Sequence, residues 1–321
     1  MNMKLACITP VLQIKDFDTL LKNNFDSYFL ERPSKEEVKN LLIKEGIDII
    51  FTNPNQQGFK IDESLLLGSK VKIICTASTG LNHIDTNFCE KNNVKIISIT
   101  KELETLNQIT STAELAFCLM LMSVRNITNS LESVKQGEWT WEPFLGRQIK
   151  DMSIGVVGYG RLGKMFANYC KSFYAKVLVY DPFVIVEDDY FEQKKSLEDI
   201  FVESDVVSLH VHVNDLTRYM INSNVLKNAK HNLILINTSR GEIVNESDVY
   251  KLLSEDKIKH YACDVLEKEF DCKVESPLLK LEREKVTITP HIGGSTLDAQ
   301  KIAYKKSLDL LLEFIKNEIN S

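Results

Sequence analysis

The sequence predicts an α/β protein made of two doubly wound parallel-sheet domains. Three observations carry this. Short β-branched runs alternate with longer helix-patterned stretches along the chain, the order that builds a parallel sheet covered on both faces. The chain has 321 residues, and a single core seldom grows past about 250–300 residues. Finally, Gly158-Tyr159-Gly160-Arg161-Leu162-Gly163 follows an apolar run and opens a helical pattern, the setting of a phosphate-binding turn.

In order along the chain, strands are expected at 4–9, 47–52, 71–76, 94–98, 153–157, 176–180, 206–210, 233–237, 260–263 and 286–289. Helical patterning marks 34–45, 162–173 and 246–254 among the segments between them. Residues 104–136 read as one long helix or two joined, apolar nearly all round from Thr112 to Met122. Such a helix is buried on several sides, by a second domain or a second subunit. A last helix is expected from Thr296 to about Lys316, with Ser295 as its cap and Asp298 at the capping-box position. No Pro/Gly/Ser linker interrupts the chain, so the domain joint is expected to be rigid.

Composition removes several classes of function. Hydrophobic residues make up 44% and charged residues 26%, as in ordinary globular proteins, which excludes a disordered, collagen-like or coiled-coil chain. A net charge of −6 argues against nucleic acid as a partner. No apolar run approaches the ~20 residues of a membrane span. Leu5-Ala6-Cys7 superficially matches a lipoprotein cleavage site but lacks the preceding apolar region, so it reads as the first strand. The seven cysteines (7, 75, 89, 118, 170, 263 and 272) form no CxxC pair. They read as buried thiols in a reducing cytoplasm, not as nucleophiles or metal ligands.

The chemistry concentrates at strand ends. Gly158 permits the tight turn, Gly160 lets a pyrophosphate approach the backbone, and Gly163 lets helix and strand pack closely. The helix N-terminus offers its unsatisfied N–H groups to the phosphates. The next strand ends at Asp181, 18 residues past Gly163. Its carboxylate can accept from a ribose 2′-hydroxyl and repels a 2′-phosphate, and no Arg follows in Pro182-Phe183-Val184, so NAD is expected over NADP. Arg240 closes the run 233–241 at a sheet's carboxyl edge, where a guanidinium can grip a substrate carboxylate with both arms. His291 ends the run 286–291 just before Gly293-Gly294, and a histidine suits proton transfer near neutral pH. The stretch Asp264-Val265-Leu266-Glu267-Lys268-Glu269 brings carboxylates to another strand edge. One of them can orient the His291 ring and favour imidazolium, and spacing does not choose between Glu267 and Glu269. His210-Val211-His212 places two imidazoles on one strand face, but no third metal ligand follows from the spacing, and no metal is expected.

These residues together resemble the D-isomer-specific 2-hydroxyacid dehydrogenase family, in particular its phosphoglycerate dehydrogenase-like branch. The matching stretches are 78–85 (Ser-Thr-Gly-Leu-Asn-His-Ile-Asp), Ser111-Thr112-Ala113-Glu114, the glycine turn with Tyr180-Asp181-Pro182, and 237–244 (Asn-Thr-Ser-Arg-Gly-Glu-Ile-Val). Asp264-Val265-Leu266 and 290–296 (Pro-His-Ile-Gly-Gly-Ser-Thr) complete the set.

The resemblance implies a Rossmann NAD domain, 104–289, inserted into a flavodoxin-like substrate domain formed by 1–103 and 290–321. It implies that Arg240 anchors the substrate, that Glu269 partners the catalytic histidine, and that His291 donates the proton in reduction. Thr79, Gly80, Leu81 and Asn82 would meet the substrate carboxylate, with Asn53 nearby. Arg161, Leu162, Asp181, His210, Thr238, Asp264, Gly293 and Gly294 would meet NAD. The family is commonly dimeric, which places the 104–136 helix and Trp139 and Trp141 at an interface. A small 2-hydroxy or 2-oxo acid would be the substrate, and domain closure would exclude water from the transfer.

Three departures qualify the branch. Family members usually carry Pro after the catalytic Glu, and this chain has Phe270. Phosphoglycerate dehydrogenases present Arg in the loop that here reads Asn53-Pro54-Asn55-Gln56-Gln57, which holds no cation. The 321 residues leave no room for the regulatory domain often appended to serine-pathway enzymes. The alternatives are phosphoglycerate dehydrogenase proper and a non-enzymatic NAD-sensing protein like the related corepressors. Formate dehydrogenases, which resemble the same family, carry Gln where this chain has Glu269.

Overall fold

The computed structural model describes residues 3–54, 58–269 and 274–320. Asn55, Gln56, Gln57, Phe270 and Cys272 lie outside the described residues. Two compact units are present. The first contains the chain up to Ile109 together with the segment from Gly294 onward. The second contains Thr110–Glu269 and Val274–Gly293. The units divide after Ile109 and after Gly293, close to the 103/104 and 289/290 boundaries that the resemblance implies.

The first unit holds five parallel strands: β1 (Lys4–Cys7), β2 (Asp26–Phe29), β3 (Ile49–Thr52), β4 (Ile73–Thr76) and β5 (Lys95–Ser98), in the order β2-β1-β3-β4-β5. This is the flavodoxin-type order. Alternate side chains feed two cores, as the period of a strand requires. Leu5, Cys7, Ile49 and Phe51 pack with Phe17, Leu21, Tyr304 and Leu308, while Ala6, Ile8 and Ile50 pack with Val38 and Leu42. The helix Lys35–Glu45 starts at a reciprocal Ser34–Glu37 capping box and stops at Gly46, whose φ of 65° suits glycine.

The second unit holds seven parallel strands: β6 (Ser153–Val157), β7 (Lys176–Tyr180), β8 (Phe191–Gln193), β9 (Val206–Leu209), β10 (Ile234–Asn237), β11 (His260–Cys263) and β12 (Val286–Ile288). Their order, β12-β11-β10-β9-β6-β7-β8, is the Rossmann order extended by one strand. Ile154, Val156, Val177, Val179 and Ile236 face the helices Ser111–Val124 and Arg161–Ser172. Val157, Val207, Leu209 and Leu235 face Phe201, Leu226, Val249 and Leu253. Because all seven strands run parallel, every strand's carboxyl end lies along one edge.

Several local expectations change. The 104–136 segment is three helices, Leu103–Asn107, Ser111–Val124 and Ile127–Lys135. The last break falls at Asn126, whose φ of 52° ends a right-handed helix. The final helix runs Leu297–Asn320, and its start is capped by Thr296 instead of Ser295: the Thr296 hydroxyl accepts from Ala299 N–H at 3.2 Å. The edge strands β2 and β8 were not among the expected strands.

Candidate active site

The glycine turn at the end of β6 has the shape its sequence calls for. Gly158 has φ 91°, and a Cβ there would lie 2.6 Å from the His210 carbonyl oxygen. A Cβ on Gly163 would collide with the Gly158 carbonyl oxygen. Gly160, by contrast, has nothing within 4 Å of its Cβ position. It stands before the helix Arg161–Ser172 and offers that helix no side-chain cap, so the first N–H groups face the open side of Gly160. Asp181, just past β7, is bound directly to this turn. One of its oxygens accepts from Tyr159 N–H at 2.8 Å and the other from Phe183 N–H at 2.8 Å.

His210 follows β9. Its Nε2 lies 2.9 Å from the Ser208 hydroxyl and its ring packs on Phe166. Burial pushes the imidazole down to about 3, which keeps it neutral. His212 is exposed, and among the described residues no group of three His, Cys, Asp or Glu converges on a point. Thr238 follows β10; its hydroxyl is buried and has no hydrogen-bond partner among the described residues. A buried hydroxyl at a strand's carboxyl end without a protein partner is suited to a ligand. The open cradle at Gly160, the acid tied to the turn and the unpartnered Thr238 hydroxyl together fit a dinucleotide.

Arg240 is fixed from below. Asn237, fully buried, donates to the Arg240 carbonyl at 2.9 Å and accepts from Ser239 N–H at 3.0 Å. The guanidinium donates to the Ser239 carbonyl at 2.5 Å. Burial disfavours its charge, and the Glu269 and Glu242 carboxylates counter that.

Asp264, at the end of β11, organises the neighbouring segment. One oxygen accepts from the Thr289 hydroxyl at 2.5 Å and from Ile292 N–H at 2.8 Å, and the other from Gly293 N–H at 2.7 Å. Its carbonyl accepts from His291 N–H at 2.9 Å. Burial pushes this carboxyl upward, and those three donors oppose the shift. His291 sits in the left-handed region at φ 54°. Its Nδ1 lies 2.8 Å from Glu269 Oε1, with both side chains largely buried. Glu267 points elsewhere and accepts from the Tyr219 hydroxyl. Of the two carboxylates that spacing left open, Glu269 is the one beside His291.

In the first unit, the loop after β4 carries Thr79, Gly80, Leu81 and Asn82. Ser78 donates to the Gly80 carbonyl at 2.8 Å, and Thr100 to the Thr79 carbonyl at 3.0 Å. Their carbonyls are thus bound, while the N–H groups of Thr79, Gly80 and Leu81 donate to no acceptor among the described residues. Asn53, just after β3, is buried, and its amide donates to the Tyr304 hydroxyl at 3.0 Å. Gly294 belongs to this unit and has open space at its Cβ position. Tyr304, Tyr219 and Glu246 carry no local sequence signal, because each meets a partner far along the chain.

Residues 117–293 match the family described as D-isomer specific 2-hydroxyacid dehydrogenase, NAD binding domain. The D-3-phosphoglycerate dehydrogenase of Archaeoglobus fulgidus is 31% identical over 301 residues, covering 93% of this chain and 54% of that protein. The hydroxypyruvate reductase of Thermotoga maritima is 32% identical over 239 residues, covering 73% of this chain and 74% of that protein. Among solved structures, D-lactate dehydrogenase from Aquifex aeolicus, complexed with NAD and lactic acid, is 26% identical with a TM-score of 0.79, over 99% of this chain and 96% of that one. The chain belongs to the D-isomer-specific 2-hydroxyacid dehydrogenase family. It spans about half the length of the Archaeoglobus relative.

Proposed function

We propose that this protein is an NAD-dependent D-2-hydroxyacid dehydrogenase. The observation that carries the reading is the His291–Glu269 pair at 2.8 Å, on the strand edge that also presents Arg240. NADH, when bound, supplies the hydride to a 2-oxo acid. Arg240 holds the substrate carboxylate and polarises the carbonyl. Glu269 accepts from His291 Nδ1, so the other ring nitrogen is the one that gives a proton to the carbonyl oxygen. The amides of Thr79, Gly80 and Leu81 suit the substrate carboxylate. His210, Thr238 and the glycine turn would hold the dinucleotide.

Oxidation of NADH with a panel of 2-oxo acids tests the activity. Intact NADH binding without turnover of any of them would instead favour a dinucleotide-sensing protein. The same panel tests the substrate. A phosphate needs cations or dense N–H donors when buried. Among the described residues, Asn53 meets Tyr304, which also pairs with Thr9 at 3.1 Å, and these three buried side chains bring no charge. Glyoxylate or hydroxypyruvate should therefore be reduced with kcat/KM at least roughly tenfold above 3-phosphohydroxypyruvate, about 1.4 kcal/mol. A preference for the phosphorylated acid would restore the serine-pathway reading, which the Archaeoglobus relative favours.

Cofactor choice follows from Asp181. NAD is expected to be strongly preferred over NADP, because the carboxylate is held by two backbone donors where a 2′-phosphate would be repelled. Asp181→Ala should reduce that preference by roughly 10–100-fold, the scale of one charge-assisted contact. Equal kcat/KM of the wild type with both cofactors would contradict the assignment.

A cytoplasmic homodimer is part of the same reading. Cys7, Cys75, Cys89, Cys170 and Cys263 are buried free thiols, the state a reducing compartment keeps, whereas Cys118 is free but exposed, against its reading as a buried thiol. Trp139 and Trp141 are 87% and 68% exposed, Leu131, Val134 and Leu145 are exposed as well, and Val134, Trp141 and Leu145 line one surface cavity. A surface of this kind calls for a partner.

A further inference from the structure

Glu246 is a buried acid that none of these roles uses. It opens the helix Glu246–Ser254, yet its carboxylate faces inward and is 5% exposed. Oε1 accepts from Glu267 N–H at 2.8 Å, and Oε2 accepts from the Ser276 hydroxyl at 2.6 Å. These two partners flank Glu269 in sequence. Two further contacts hold the near side. The Tyr219 hydroxyl donates to the Glu267 carboxylate, and Leu266 N–H donates to Glu269 Oε2 at 3.3 Å. Gly241, next to Arg240, packs so closely that a Cβ would collide with Leu266 and with Glu267 N.

A buried carboxylate is costly, and this one has like charges for neighbours. Burial pushes Glu246 up, and Glu267 and Glu269 push it the same way. An apolar residue would fill the space at lower cost. What Glu246 supplies is two acceptors, one on each side of the Glu269 position.

We propose that Glu246 is a positioning residue for the proton relay, fixing the chain that carries Glu269 so that its carboxylate stays at His291. This rests on the reading of His291–Glu269 as that relay. The charged groups facing the relay among the described residues are Arg240 and Asp264; those facing Glu246 are Glu267 and Glu269, beside the neutral Tyr261 and Cys263.

The test is the pH profile of kcat/KM for reduction of a 2-oxo acid by NADH, with NADH affinity measured by fluorescence. Reduction consumes a proton, so the alkaline limb of that profile reports on the relay. Glu269→Gln removes the carboxylate beside His291 and should move that limb. Glu246→Ala should move it the same way and lower kcat roughly 10–100-fold, the scale of a small misplacement, with NADH affinity unchanged. Glu246→Gln keeps an acceptor for Glu267 and a donor for Ser276, so it should restore most of both. Glu246→Asp keeps the charge but falls short of spanning both partners, so it should give an intermediate shift even if the alanine variant does not fold. Adding Glu246→Ala or Glu246→Asp to Glu269→Gln should shift the limb no further. If Glu269→Gln shifts the profile and neither Glu246→Ala nor Glu246→Asp does, Glu246 has no part in the relay. If Glu269→Gln leaves the profile unchanged, the relay reading falls and this proposal falls with it.

Discussion

Replacing His291 with alanine is expected to lower kcat by roughly 10²–10⁴-fold, the usual contribution of one general acid–base group. NADH binding should remain nearly intact, because the glycine turn, Asp181 and Thr238 are untouched by the change. The backbone at this site also stays tied, since His291 N–H donates to the Asp264 and Thr289 carbonyls whatever side chain is present. One structural cost must be separated from the chemical one. His291 has φ 54°, where alanine is strained by about 1–2 kcal/mol. His291→Asn tolerates that conformation better and is the matched control. Both variants should lose turnover alike, while the asparagine variant keeps the higher thermal stability. Recovery of activity in His291→Asn would point to a structural histidine.

Strands buried on both faces are the most legible in the sequence, and the edge strands β5 and β12 are legible as well because each keeps a short β-branched run. β3, β4, β9, β10 and β11 are wholly buried, so each reads as a continuous apolar run. β2 and β8 are edge strands. Asp26–Phe29 has no fully buried residue, and in Phe191–Gln193 only Phe191 is buried, so neither carries the apolar signature. The site residues are legible for a topological reason: parallel strands deliver Gly158, Asp181, Arg240 and His291 to one edge. Glu267 and Glu269 are two apart on a turn, and only the fold turns one to Tyr219 and the other to His291. Glu246 is hidden for a different reason. An acid in the first turn, just after the Asn245 cap, reads as a favourable partner for the helix dipole. Its bonds to Glu267 and Ser276 come from tertiary packing alone.

Arg240→Lys is expected to lower kcat/KM by roughly 10²-fold or more although the positive charge is kept. The wild-type guanidinium is held on three counts: Asn237 fixes the main chain, the Ser239 carbonyl takes one N–H, and Gly241 is wedged against Leu266 and Glu267. That leaves a planar fork aimed in one direction, able to bind a carboxylate with two parallel bonds and to polarise the adjacent carbonyl. A lysine presents a single ammonium on a flexible stem, so it can meet the carboxylate or the carbonyl but not both in fixed geometry. The loss should appear in kcat as well as in KM, because polarising the carbonyl matters most as negative charge builds on its oxygen. Burial adds a second penalty. The site already disfavours the guanidinium charge, with Glu269 and Glu242 offsetting the cost. A lysine there is more easily deprotonated than an arginine, so the variant should weaken further as pH rises, which the wild type should not do through this residue. Steady-state kinetics at several pH values separate the two contributions. A KM increase with unchanged kcat would limit Arg240 to ground-state binding, and near-wild-type values of both would show that its role is structural.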